Sequence, residues 1–315
     1  MKIKILHTVI VSIFLSSLCL AEQNEIKEGE VIVQSEKKIS QLLEGQSEKE
    51  KHEASGVLFL NTKIFVVFDN SSTIAKINID LDQVKLLGEN KKGVGYEGIT
   101  YDKLNDRFYL IEESLDHKGA WNSRVGSANK DFIIDSKKWL KYSFQSDNKG
   151  FEGITIVTKN DETYLLALCE GNDCDAGEIS RIPGAGRIKV FETKGKKWKY
   201  IASIRLPLSL HFKDYSGIDI NNKRILAITS QESSAVWLGE LDVENWKIVG
   251  LGHVYKFPRD RNDNMIYCNI EGVSWIADDR LVVVSDKKTD NDEQPEECRD
   301  KDQSIHIISI YSSNT

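Results

Sequence analysis

A short motif returns five times along this chain. The copies are Ser55-Gly56-Val57, Glu97-Gly98-Ile99, Glu152-Gly153-Ile154, Ser216-Gly217-Ile218 and Glu271-Gly272-Val273. Their glycines are 42, 55, 64 and 55 residues apart. Each copy is followed by a short strand pattern, a polar turn and a second apolar strand. The turns are Asn61-Thr62, Lys103 to Asp106, Lys159 to Glu162, Asn221-Asn222 and Asp278-Asp279, and Asn and Asp favour the tight turns that join hairpins. The second strands, Ile64–Phe68, Phe108–Ile111, Tyr164–Leu168, Ile225–Thr229 and Leu281–Val284, are short runs rich in β-branched and aromatic residues, the composition of buried strands. Third and fourth strands follow in most repeats, and no amphipathic helix of normal length follows residue 55.

Four antiparallel strands in 42 to 64 residues is the size of one propeller blade. The pattern predicts an all-β fold, a five-bladed β-propeller, with six blades admissible because of the 64-residue interval. The last repeat supplies three strands, ending in Ile305–Ile310. A propeller closes by pairing its two ends, and Glu30–Ser35 is a strand-like segment placed to provide the missing fourth strand. A β-sandwich would give as many strands but not this periodic motif.

The 315 residues carry 42 Lys+Arg against 49 Asp+Glu, a formal charge of −7, with 40% hydrophobic and 29% charged residues. This excludes a disordered, collagen-like or polytopic membrane chain. Acidity without basic clusters argues against nucleic acid as the partner. Lys2 and Lys4 precede an apolar run from Ile5 to Leu20, too short to span a bilayer, and Cys19-Leu20-Ala21 fits cleavage after Ala21. Residues 1–21 read as a secretory signal peptide, with acylation at Cys19 as the competing reading. Residues 22–52 then form an N-terminal segment containing the closing strand, and 53–315 the propeller. A secreted or periplasmic location is expected. Four cysteines remain after cleavage, an even count that suggests disulfides, with three possible pairings. Zinc at Cys169-x4-Cys174 is the alternative, without a nearby His.

In a propeller the first strand of each blade lines the channel, so Ser55, Glu97, Glu152, Ser216 and Glu271 are expected in one ring. Two carboxylates about 5 Å apart at an effective dielectric near 20 repel by roughly 3 kcal/mol. A hard divalent cation relieves this, and an oxygen-only set suits calcium rather than zinc or copper. Calcium is therefore the expected cofactor. The competing reading is that these side chains cap backbone amides between blades and bind no ion. Each second strand ends near an acid: Asp69, Glu112, Glu170, Glu232 and Asp286, 13, 14, 17, 15 and 14 residues after its glycine. These candidate catalytic residues share the motif face, which is expected to bind a small-molecule, glycan or protein ligand. The alternative for each is an ordinary solvated loop acid. The cysteines fall on the same face, which predicts Cys169–Cys174 and Cys268–Cys298 as the pairs. A monomer without a membrane span is expected.

The Glu-Gly-Ile and Ser-Gly-Ile openings resemble secreted propellers of the SdiA-regulated and phytase/esterase-like groups. The order Ser55, Glu97, Glu152, Ser216, Glu271 is also similar to the axial calcium ligands of the calcium-activated nucleotidase (apyrase) family, and the likeness spans residues 53–310 as spaced motifs. It implies five blades and an axial calcium. It does not imply nucleotidase activity, because those enzymes place arginines where this chain has Cys169-Glu170-Gly171-Asn172. Arg124, Arg181 and Arg187 are the remaining candidates for phosphate contacts, and His117 and His211 for proton transfer. Two functions follow. One is an exported calcium-binding propeller whose motif face holds a ligand. The other is a calcium-dependent hydrolase of a phosphoester, phosphoanhydride or related ester.

Overall fold

The computed structural model describes residues 26–43, 52–89, 91, 94–147, 149–174, 177–194, 197–287 and 295–310. The signal-peptide reading of residues 1–21 lies outside them. The described chain is nearly all β. Its helices are α1 (Ile39–Leu42), α2 (Glu296–Arg299) and two short 3-10 segments.

A four-stranded sheet holds β2 (Ala54–Leu60), β3 (Lys63–Phe68), β4 (Ser71–Asn78) and β5 (Val84–Leu87), in that order. An eight-stranded sheet runs β10 (Phe151–Lys159), β11 (Glu162–Cys169), β12 (Arg187–Lys194), β13 (Lys197–Arg205), then β9 (Ile134–Phe144), β8 (Trp121–Ala128), β7 (Arg107–Asp116) and β6 (Gly98–Asp102). A single parallel pairing, Trp198 with Leu140, joins its two antiparallel halves. The other eight-stranded sheet runs β14 (Ile218–Ile220), β15 (Ile225–Ser230), β16 (Ala235–Asp242), β17 (Lys247–Lys256), then β1 (Lys27–Lys38), β20 (Ser304–Ile310), β19 (Arg280–Ser285) and β18 (Ile270–Ala277). β1 is longer than the six residues expected. Lys27–Glu30 run parallel to β17, and Val31–Lys38 pair antiparallel with β20.

Local chemistry explains the hairpins. Asn61 and Thr62 sit at φ 49 and 64, and Asn160 and Asp161 at φ 51 and 59. Two successive positive φ values define the turn whose twist matches paired strands. The second strand of each repeat is largely buried. Ile64, Val66, Leu110, Ile111, Leu165, Leu166, Leu226, Ile228, Val282 and Val284 are all fully buried. Apolar cores lie between neighbouring sheets, with Trp198 and Trp237 among the largest enclosed side chains.

Both expected cystine bridges are present. Cys169 joins Cys174 and Cys268 joins Cys298, with Cα separations of 5.1 and 5.6 Å. Among the described residues no helix is long and apolar enough to cross a membrane.

Candidate metal centre

The five motif glycines bring the inner strands together in a cycle. A Cβ on Gly56 would lie 2.8 Å from the Gly98 Cα, and one on Gly98 would lie 3.2 Å from the Gly153 Cα. A Cβ on Gly153 would lie 3.0 Å from Ile218 N, one on Gly217 would lie 2.4 Å from the Glu271 carbonyl oxygen, and one on Gly272 would lie 2.9 Å from the Gly56 Cα. Only glycine permits approach this close. All five motifs line one cavity of about 10 Å³, room for a single water-sized occupant.

One residue further along the strands lies a hydrogen-bonded layer. Asp219 on β14 accepts from Thr155 Oγ1 on β10 at 3.1 Å, Ser274 Oγ on β18 at 2.7 Å and Trp275 N–H at 2.9 Å. Ser274 Oγ accepts in turn from Phe59 N–H on β2 at 3.0 Å. Burial raises the Asp219 pKa, and these bonds oppose the rise.

The motif residues divide by chemistry. Ser55 donates to the Tyr96 carbonyl, immediately before Glu97. Ser216 donates to the Ile270 carbonyl at 2.7 Å, immediately before Glu271. Both serines are buried and stitch one motif to the next through carbonyls, not through the amides that the capping alternative named. Among the described residues no hydrogen bond reaches the carboxylates of Glu97, Glu152 and Glu271. Burial, then the Glu113, Asp286 and Glu170 charges, push Glu97 up to about 8. Burial and neighbouring acids hold Glu152 and Glu271 well above the usual carboxylate range.

Two acid triads form on this face. Glu113, Glu152 and Glu170 have carboxylate oxygens within 4.8 Å of one another, and so do Glu53, Asp69 and Asp286. Burial and Glu170 push Glu113 up to about 7, with Lys149 opposing. Lys149 Nζ donates to Glu170 Oε1 at 2.5 Å, while Glu170 Oε2 is buried without a hydrogen-bond partner. Glu170 is held inside the small loop closed by Cys169–Cys174. Its N–H donates to the Gly150 carbonyl at 3.3 Å, and its carbonyl accepts from Tyr215 N–H at 2.9 Å.

Of the strand-end acids, Asp69, Glu170 and Asp286 reach these triads and two others do not. Glu112 points to the opposite side of β7, where Arg124 and Lys137 each contact it at 2.5 Å. Its neighbour Glu113 takes the axial side, since successive strand residues alternate faces. Glu232 pairs with Arg181 at 2.6 Å. Arg187 pairs with Asp173, and Arg124 also lies 5.1 Å from the Trp139 ring centre. All three candidate phosphate-binding arginines are therefore held in ion pairs. His117 stacks on Trp139 at 4.2 Å.

Sequence reasoning missed Glu53 and Asp214, and within the pair Glu112-Glu113 on the motif face it chose Glu112 as the candidate. A signal for the two missed acids exists. The two repeats with Ser at the motif position have an acid two residues earlier, Glu53 and Asp214, whereas the Glu repeats have Gly95, Gly150 and Asn269 there. Each repeat thus delivers one carboxylate at one of two positions. The glycines are space-makers: a Cβ on Gly150 would meet Glu113 Cγ at 2.6 Å, and one on Gly95 would overlap the Asp69 carbonyl. Asp214 accepts from Ser230 Oγ at 2.5 Å, and burial pushes it up to about 6.

No protein-family model matches this chain, and no curated protein matches it. Solved structures do. A glutaminyl cyclase from Myxococcus xanthus aligns over 91% of this chain and 100% of its own, at 10% identity and TM-score 0.53. A GH43_1 enzyme from Xanthomonas citri, complexed with xylotriose, aligns over 84% and 88%, at 10% identity and TM-score 0.50. RS223 β-xylosidase aligns over 87% and 94%, at 10% identity and TM-score 0.50. At such identities the likeness is one of fold, and the fold is propeller-like.

Proposed function

We propose that this is an exported, five-bladed β-propeller, closed by β1, that holds calcium among its axial acids and binds a ligand on the motif face. Three features support five blades. The sheets divide at their two parallel pairings into four-stranded groups, each motif glycine lies against the next motif in a closed cycle, and β1 lies against β20. Two cystine bridges suit an oxidising compartment.

The observation that carries the calcium reading is the Glu113–Glu152–Glu170 convergence. Three carboxylates within 4.8 Å face one ammonium, and one buried oxygen lacks a donor. A hard cation with six to eight oxygen ligands fits this all-carboxylate set, and water could complete it. Glu97 and Glu271 would add charge from the same ring. Ser55 and Ser216 would stay structural through their carbonyl bonds. The order of motif residues shared with calcium-activated nucleotidases supports the same ion.

The axis has room for an ion but not for a substrate. A larger ligand would use the groove of about 490 Å³ beside Ser209, His211, Phe212 and Ser233, within the usual size of small-molecule sites. In the alternative reading, a calcium-dependent hydrolase, the ion would polarise a substrate oxygen and Asp69 or Asp286 would serve as base. The paired state of Arg124, Arg181 and Arg187 disfavours a phosphate substrate.

Calcium titration calorimetry on the mature chain tests the proposal. Micromolar or tighter binding that weakens at least tenfold in Glu152→Gln is expected. Equal affinity in both proteins would overturn the ligand assignment. Turnover of a nucleotide or aryl ester that stops on adding chelator would favour the hydrolase.

A further inference from the structure

A second cluster of titratable groups lies away from the axis, in the seam between β1 and β20. His306 on β20 is fully buried, as is Ser285 at the end of β19. His306 Nε2 lies 3.2 Å from Ser285 Oγ, and its Nδ1 lies 3.2 Å from Glu36 Oε2 on β1. Serine, histidine and carboxylate are connected as in a hydrolytic triad, but no substrate could reach a hydroxyl with zero exposure. The trio therefore needs another role.

Donor and acceptor counting supplies one. Glu36 also accepts from Lys301 Nζ and, at 3.1 Å, from Tyr267 Oη. A carboxylate held by an ammonium and a phenol only accepts, so Nδ1 must carry a hydrogen. Nε2 is then the titrating atom. Ser285 Oγ has three acceptors within reach of its one hydrogen, the Lys301 carbonyl at 2.6 Å, Nε2 at 3.2 Å and the Ser304 carbonyl at 3.4 Å, and the first two are the nearer. It also accepts from Ser304 N–H at 3.2 Å. A bare Nε2 requires the Ser285 hydrogen. A protonated Nε2 donates to Ser285 Oγ and turns that hydrogen onto the Lys301 carbonyl.

We propose that His306 is a buried proton-binding site that switches the Ser285 hydroxyl between two acceptors and so sets the strength of the β1–β20 seam. The charged and titratable groups facing it are Glu36 from β1, Lys301 from the turn before β20, and Tyr267, whose ring centre is 5.3 Å away. One step further along the seam, Lys38 pairs with Asp302 at 2.5 Å. Burial lowers the His306 pKa, with Glu36 opposing. The Glu36 pKa falls to about 2, chiefly through His306 and against burial, with Lys301 lowering it further. His306 is thus neutral near pH 7. Acid favours the unfolded chain below about pH 6.5, where free histidine takes up its proton first.

The test uses the mature chain with ¹⁵N-labelled histidine. At pH 8 the His306 ring should show the Nδ1–H tautomer, the minority form in free peptides. An Nε2–H tautomer would overturn the proposal without any variant. On acidification, Ser285→Ala and Glu36→Gln should each move the His306 midpoint to lower pH, because both remove a partner of the protonated ring. Unmoved midpoints would refute the switch. The folding equilibrium of the native chain, relative to His306→Gln, should fall by up to about tenfold per pH unit below 6.5. A parallel decline in both proteins would again refute it. None of these readouts depends on calcium.

Discussion

Excess carboxylate is the dominant chemistry at the level of single residues. Glu97 and Glu113 keep protons in the folded chain at pH values where the unfolded chain, with pKa near 4.5, has lost them. Their contribution to stability is complete below about 4.5 and disappears as pH rises through 7 to 8. The calcium-free protein should therefore lose melting temperature between pH 5 and 8.5, and saturating calcium should abolish that loss. Thermal melts across this range with and without chelator check it. Glu112 offers the contrasting case. Glu112→Gln leaves Arg124 and Lys137 facing a neutral amide, and it should destabilise by about 1–3 kcal/mol in urea unfolding while leaving calcium affinity within about twofold. Side-chain position, not charge alone, separates the two neighbouring glutamates.

At the level of elements, the inner strands are held by glycine contacts and by the Asp219 layer. A methyl group on Gly217 would meet the Glu271 carbonyl at 2.4 Å, whereas one on Gly126 would find its nearest neighbour at 3.6 Å. Gly217→Ala should cost about 1–3 kcal/mol or more through strand displacement, and Gly126→Ala should be near neutral. Denaturant midpoints compare the two directly. Asp219→Ala would strip acceptors from Thr155, Ser274 and the Trp275 N–H at once. A loss of about 2–4 kcal/mol is expected, against the same measurement. These strands were legible from alternating apolar runs and Asn-rich turns because strand period and turn dihedrals depend on neighbours in sequence. The face presented by each strand end was less legible. Glu112 and Glu113 are neighbours that face opposite sides of β7, so a one-residue change of register would exchange them.

At the level of the whole molecule, the pairing of β1 with β20 and the two cystine bridges govern integrity. Removing residues 27–38 would expose the edge of β20, and bare edges pair with other chains. Such a truncation should yield soluble oligomers or aggregates by size-exclusion chromatography, where the untruncated chain is expected to elute as a monomer. The two bridges should differ in weight. Chain-entropy arguments assign about 4 kcal/mol to Cys268–Cys298, 30 residues apart, and about 2 kcal/mol to Cys169–Cys174, five apart. The short bridge matters more for position, since it holds the loop carrying Glu170. Cys169→Ala/Cys174→Ala should therefore weaken calcium binding more than stability, and Cys268→Ala/Cys298→Ala the reverse, read by calorimetry and melting together.

The amino-acid sequence by itself determined the all-β class, the repeating unit and the hairpin turns, because each follows from short-range patterning or from repetition. It also marked Glu97, Glu152 and Glu271 through their glycine neighbours. Only the tertiary structure decided that Ser55 and Ser216 bond to carbonyls, that Glu113 and Glu53 join the acid triads, and that Glu36, Ser285 and His306 meet in one seam. Those outcomes depend on register and on contacts between segments far apart in the chain, which local patterning does not fix; the acid placed two residues before each Ser motif hinted at Glu53 alone among them.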